Sequence, residues 1–117
     1  MLNEAVMRKC WMVLALALTL LLACCNREKV RKPEVFLTEQ QMIDVLTDAY
    51  LIEAELNHKK TVGENVSSLQ RAYYDQLFEH YGITDSIFEA NMYYYSHDLP
   101  TLERIMDSVN TRFVKAQ

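Results

Sequence analysis

The stretch LTEQQMIDVLTDAYLIEAEL, residues 37–56, carries the strongest structural signal in the chain. Thr38 is followed three residues later by Gln41, the reciprocal pair of a capping box. Leu37 and Met42 flank that pair, where a hydrophobic staple closes the first turn of a helix. Beyond the cap, Met42, Leu46, Ala49, Tyr50 and Leu56 recur at helical spacing, which predicts a helix over about 38–58.

Similar punctuation predicts three more helices downstream. Asn57 to Asn65 is a polar loop around Gly63. Ser67 and Gln70 offer a second capping box, and Tyr73, Tyr74, Leu77, Phe78 and Tyr81 carry a helix over 67–81. Gly82 then stands where a left-handed C-cap is needed. Thr84 caps a third helix over 84–96, with Ile83 placed to staple Phe88 and with Ile87, Phe88, Asn91 and Tyr95 on one side. Asp98 caps a fourth over 98–115, and Pro100 is tolerated because the first turn loses no intrahelical N–H bond there. Its apolar stripe is Leu102, Ile105, Met106, Val109 and Phe113. Only two glycines and two prolines punctuate the chain, which disfavours a turn-rich β fold. The expected architecture is an all-α, small bundle of four helices, with a tight hairpin or corner at Gly82.

Upstream lies a different kind of segment. Arg8 and Lys9 precede an apolar run ending in Leu21-Leu22-Ala23-Cys24, the parts of a secretory signal. The uncharged run from Cys10 to Cys25 is 16 residues, short of the roughly 20 a spanning helix needs. Leu21-Leu22-Ala23-Cys24 resembles the bacterial lipobox, which implies cleavage before Cys24 and lipid on its sulfur. Choosing Cys25 instead would put a cysteine where that pattern wants Gly, Ala or Ser. A plain cleaved signal with unmodified cysteines is the competing reading. Met7-Arg8-Lys9 makes a more typical signal start than Met1. The expected organisation is therefore a lipoprotein signal peptide at 1–23, lipidated Cys24 and a basic tether at 24–36, and a helical domain at 37–117.

Charge is unevenly placed. The whole chain has a formal net charge of −4, yet Arg27, Lys29, Arg31 and Lys32 crowd the tether against only Glu28 and Glu34. Residues 37–117 carry 6 basic against 13 acidic side chains. A basic strip beside a lipid anchor is attracted to anionic headgroups by about 1 kcal/mol per charge. The acidic remainder disfavours nucleic acid, which selects basic faces. About 80 residues make one small domain, near the size where burial barely exceeds chain entropy.

The quoted stretch, together with YYDQLFEHYGITDSIFEANMYYYS (73–96) and LERIMDSV (102–109), resembles a family of small lipoproteins from Bacteroidetes, domain of unknown function 4296. The most specific part is Tyr81-Gly82-Ile83-Thr84 followed by Phe88 and the paired Tyr94-Tyr95. Leu99-Pro100 departs from the pattern, in which proline directly follows the cap. The resemblance implies a lipidated, helical protein of the cell envelope, anchored at the outer membrane. No acidic cluster of the kind that resembles a surface-export signal follows Cys24, so a periplasm-facing domain is expected. The resemblance transfers no catalytic role.

Single residues sharpen this only partly. Glu53 falls inside the apolar stripe of the first helix, where an unpaired carboxylate is costly. One reading gives it a tyrosine hydroxyl or water at the core's edge; the other makes it the polar anchor of a ligand pocket. Asp44, Asp48 and Glu55 lie on the opposite face, with Glu55 placed to pair with Lys59. Asp48 is a candidate contact because it needs no core role. His58, His80 and His97 are scattered, no zinc spacing occurs, and neither a cofactor nor a metal site is expected. Most of the seven tyrosines match core stripes, whereas Tyr93 lies opposite Phe88 and Asn91. Tyr93, with Tyr94 or Tyr74, is a candidate partner contact. No catalytic constellation is visible; a hydrolase would need His80 to meet Glu53. The leading expectation is a non-enzymatic interaction or assembly module that holds an envelope protein near the membrane. The alternative is a periplasmic small-ligand or lipid-binding lipoprotein.

Overall fold

The computed structural model describes residues 3–23 and 29–117. Cys24 and Cys25, and with them the expected cleavage and lipidation site, lie outside the described residues. Five helices follow in order: α1 Glu4–Ala23, α2 Glu39–Thr61, α3 Ser67–Tyr81, α4 Asp85–Ser96 and α5 Leu99–Ala116. No strand occurs among the described residues, so the class is all-α. The expected count of four becomes five because the apolar segment Glu4–Ala23 is itself helical. Leu, Ala and Met are strong helix formers. Residues 3–20 are all exposed, so α1 rests on backbone propensity rather than on packing. Among the described residues no helix is long and apolar enough to cross a membrane.

α2 starts as its sequence predicts. The Thr38 hydroxyl accepts from the Gln41 backbone N–H at 3.2 Å, and the Thr38 N–H donates to Gln41 Oε1 at 2.8 Å. The helix runs past the expected end to Thr61. Its basic last turn, His58 to Lys60, complements the negative end of the helix dipole. Lys59 lies 3.4 Å from Glu55 and 3.7 Å from Glu64. Those carboxylates, Glu64 first, hold the Lys59 ammonium above its ordinary range.

The start of α3 corrects the second capping box. The N-cap is Val66, with no side-chain cap, and the Ser67 N–H donates to Asn65 Oδ1 at 3.2 Å. Ser67 is already inside the first turn, and the short Asn65 side chain supplies the acceptor two residues upstream instead. At the other end Gly82 adopts φ 64°, ψ 32°, a left-handed conformation that costs glycine little. Thr84 caps α4 through a 3.2 Å bond from the Ile87 N–H. Asp98 caps α5, accepting from the Thr101 N–H at 3.4 Å and its hydroxyl at 2.7 Å. Those bonds hold the Asp98 carboxyl below its ordinary range, the hydroxyl first.

α2 is the central element, packed by α5 and by α3. Met42, Ile43 and Leu46 meet Ile105 and Val109 of α5 and Tyr95 of α4 in one buried cluster. Val45 and Ala49 meet Leu77 of α3 in a second. Ile83 and Phe88 pack against both, so the turn at Gly82 sets the start of α4 at their seam. The single stripe predicted for α2 is thus too narrow, because the helix is covered on two sides. Tyr50 moves the other way: it is 39% exposed and rests edge-on against Phe113 with ring centroids 6.1 Å apart.

Candidate functional site

The hairpin of α2 and α3 leaves an open groove of about 430 Å³ along its outer face. Asp48, Leu51, Ile52 and Glu55 line it from α2, and Tyr73, Gln76, Leu77 and His80 line it from α3. Each helix contributes positions i, i+3, i+4 and i+7, which is one continuous face of a helix. Leu51, Ile52 and Leu77 form an apolar floor, and the polar side chains stand on the rim. Spacing of this kind suits a third amphipathic helix or an extended apolar segment.

Two tyrosines of α3 tie that helix to carboxylates of α2. The Tyr74 hydroxyl donates to Glu53 Oε1 at 2.6 Å, and the Tyr81 hydroxyl donates to Asp48 Oδ2 at 2.5 Å. Both carboxylates are half-buried. Asp48 therefore does have a packing role, contrary to the expectation that it projects freely; Tyr81 reaches across from α3 to it. Asp44 is engaged as well, by Arg112 of α5. Glu53 meets its tyrosine beside the groove and is not among the residues lining it; His80 is. The geometry thus places Asp48 and Glu55, rather than Glu53, with His80.

Burial, then the Glu53 carboxylate, raises the Tyr74 phenol from its ordinary value of 10.0 to about 12. Burial and Asp48 likewise push the Tyr81 phenol well up. Unfolded tyrosine ionises near 10. Above that pH the unfolded chain binds fewer protons than the native one, so stability falls as pH rises. The contribution is whole below pH ~10 and is lost toward pH ~12. Melting curves across this window should show a steady drop that is shallower in Tyr74→Phe and in Tyr81→Phe. Equal slopes in all three proteins would refute the assignment.

The other candidate residues lie on α4. Tyr93 is 60% exposed, with its ring centroid 4.5 Å from that of His97. Tyr94 is half-buried and edge-on to Phe36 at 5.4 Å. Tyr74 lies with Glu53 and Phe78, whereas Tyr93 and Tyr94 are neighbours along α4. Among the described residues no three His, Cys, Asp or Glu side chains are placed to hold a metal ion.

Asn91 is 0% exposed, and its side chain is saturated. Its Oδ1 accepts from the Leu37 N–H at 2.8 Å, and its Nδ2 donates to the carbonyls of Val35 and Ile87, both at 2.8 Å. The Tyr95 hydroxyl adds a 2.7 Å bond to the Leu37 carbonyl. Together they clasp the segment Val35–Leu37, just before α2, onto α4. The signal was present: an asparagine interrupts an apolar stripe between Ile87 and Tyr95. The groove also had a signal in Leu51 and Ile52, which lie between Asp48 and Glu55 at helical spacing.

No curated protein and no solved structure matches the chain. A family model, Domain of unknown function (DUF4296), matches residues 33–117 and so takes in both the Asn91 clasp and the α2–α3 groove. The chain belongs to that family.

Proposed function

We propose that this protein is a lipid-anchored, non-enzymatic interaction module of the cell envelope, attached through Cys24 at the outer membrane and facing the periplasm. It holds a partner protein through the α2–α3 groove. The observation that carries the reading is the groove itself: an apolar floor between two helices, each offering a full i, i+3, i+4, i+7 face. The nearby titratable groups support it too, because Glu53, Asp48 and Asp44 are engaged in tying helices together.

The test is site-specific photocrosslinking in the native envelope. A photoreactive residue at Gln76, on the groove rim, should give a discrete protein adduct. The same probe at Glu103, exposed on α5, should not. Cys24→Ser should abolish the adduct by releasing the chain from the membrane. Equal labelling from both positions, or none from Gln76, would sink the reading. A second reading, binding of a small apolar ligand or lipid, is favoured by the groove's 430 Å³, within the ~300–1,000 Å³ of ligand pockets. Crosslinks from Gln76 to lipid alone would favour it.

A further inference from the structure

We propose that Lys29, Arg31 and Lys32, together with Tyr93 of α4, form a surface that lies on the anionic headgroups of the bilayer, so that the domain sits at the membrane in one orientation. This rests on the anchoring proposed above.

The described part of the tether, from Lys29 on, rests against the domain. Lys29, Val30, Arg31 and Pro33 share a surface depression with Ser86, Glu89, Ala90 and Tyr93 of α4. Just downstream, Asn91 and Tyr95 clasp Val35 and Leu37, and Phe36 packs on Tyr94 and Tyr95 at 5.4 and 5.9 Å. The Lys32 ammonium stands 4.5 Å from the centre of the Phe36 ring. The stretch from Lys29 to Lys32 is therefore carried on the body of α4.

Charge selects the occupant. Residues 37–117 hold 6 basic and 13 acidic side chains, so most of the domain is repelled by an anionic surface. Glu34 and Glu89 flank the strip and reduce its charge without reversing it. Tyr93, 60% exposed and tilted against His97, adds the kind of amphipathic ring that settles at headgroup level. A strip of cations beside an exposed aromatic, on an otherwise acidic domain next to its anchor, fits an anionic bilayer better than it fits a protein.

The experiment uses the full chain, fluorotyrosine-labelled and reconstituted in nanodiscs that carry a paramagnetic chelate on the headgroups. With phosphatidylglycerol present, the Tyr93 resonance should broaden severalfold more than that of Tyr73 on α3. Changing Lys29, Arg31 and Lys32 to Ser should bring the two to parity, each lost charge weakening the attraction about fivefold. High salt or phosphatidylcholine alone should do the same. Equal broadening from the start, stronger broadening at Tyr73, or a preference that survives the triple substitution would overturn the proposal. A chain that leaves the nanodiscs altogether would remove the anchor, and this orientation with it; one that stays but shows parity defeats only the orientation.

Discussion

Asn91→Ala lowers the melting temperature by roughly 20 °C. The side chain is fully buried and satisfies the Leu37 N–H and the Val35 and Ile87 carbonyls. The Ile87 carbonyl keeps its helical neighbours and Val35 is 49% exposed, so the buried Leu37 N–H is the group orphaned in earnest. Each buried, unpaired polar group costs about 1–3 kcal/mol, and the small void adds to it. A total of about 3–4 kcal/mol, at about 4–8 °C per kcal/mol for a domain of this size, gives the expected fall. Amide exchange at Leu37 should accelerate more than exchange in α3, because the clasp opens first. Asn91→Leu separates the causes: it refills the space but leaves the buried Leu37 N–H unpaired, so it should remain destabilised. A fall under about 5 °C in Asn91→Ala would mean that water or a rotated backbone replaces the amide.

Ile105→Ala costs a similar amount through a different mechanism. Ile105 is 0% exposed in the cluster where α5 meets α2 and α4. Truncation there loses transfer free energy and opens a cavity, about 2–5 kcal/mol for Ile→Ala against 0.5–1.5 for Ile→Val. Denaturant titration should show a markedly lower midpoint with an unchanged slope. Leu102→Ala, at a half-buried neighbour on the same helix, should cost clearly less. If the two variants were equal, the α2–α5 seam would not be the centre of the fold. Set beside Asn91→Ala, this pair tells two stabilising devices apart: one is non-directional burial, the other a set of directed hydrogen bonds.

Much of the architecture was legible in local chemistry. The caps at Thr38, Thr84 and Asp98 and the left-handed Gly82 depend on neighbours within a few residues, so spacing reveals them. The stripe of Ile105 and Val109 was legible for the same reason, since a helix covered on one side shows a single periodic face. The missing side-chain cap at Ser67 shows the limit of such reading: the helix starts at an uncapped Val66, and Asn65, two residues before Ser67, supplies the acceptor instead.

What local order cannot reveal is which faces meet. α2 is covered by α5 and by α3, so its apolar residues wrap around it and Val45 looks no different from Leu51. One is buried under α3 and the other lines an open groove. The bonds from Tyr74 to Glu53, Tyr81 to Asp48 and Asn91 to Val35 join residues 21, 33 and 56 positions apart. No helical period links such pairs; only the crossing of packed helices brings them within hydrogen-bond distance. Helix positions follow from propensity, capping and periodicity, which act over a turn or two. The groove, the clasp and the basic face beside Tyr93 follow from docking, which acts across the whole domain.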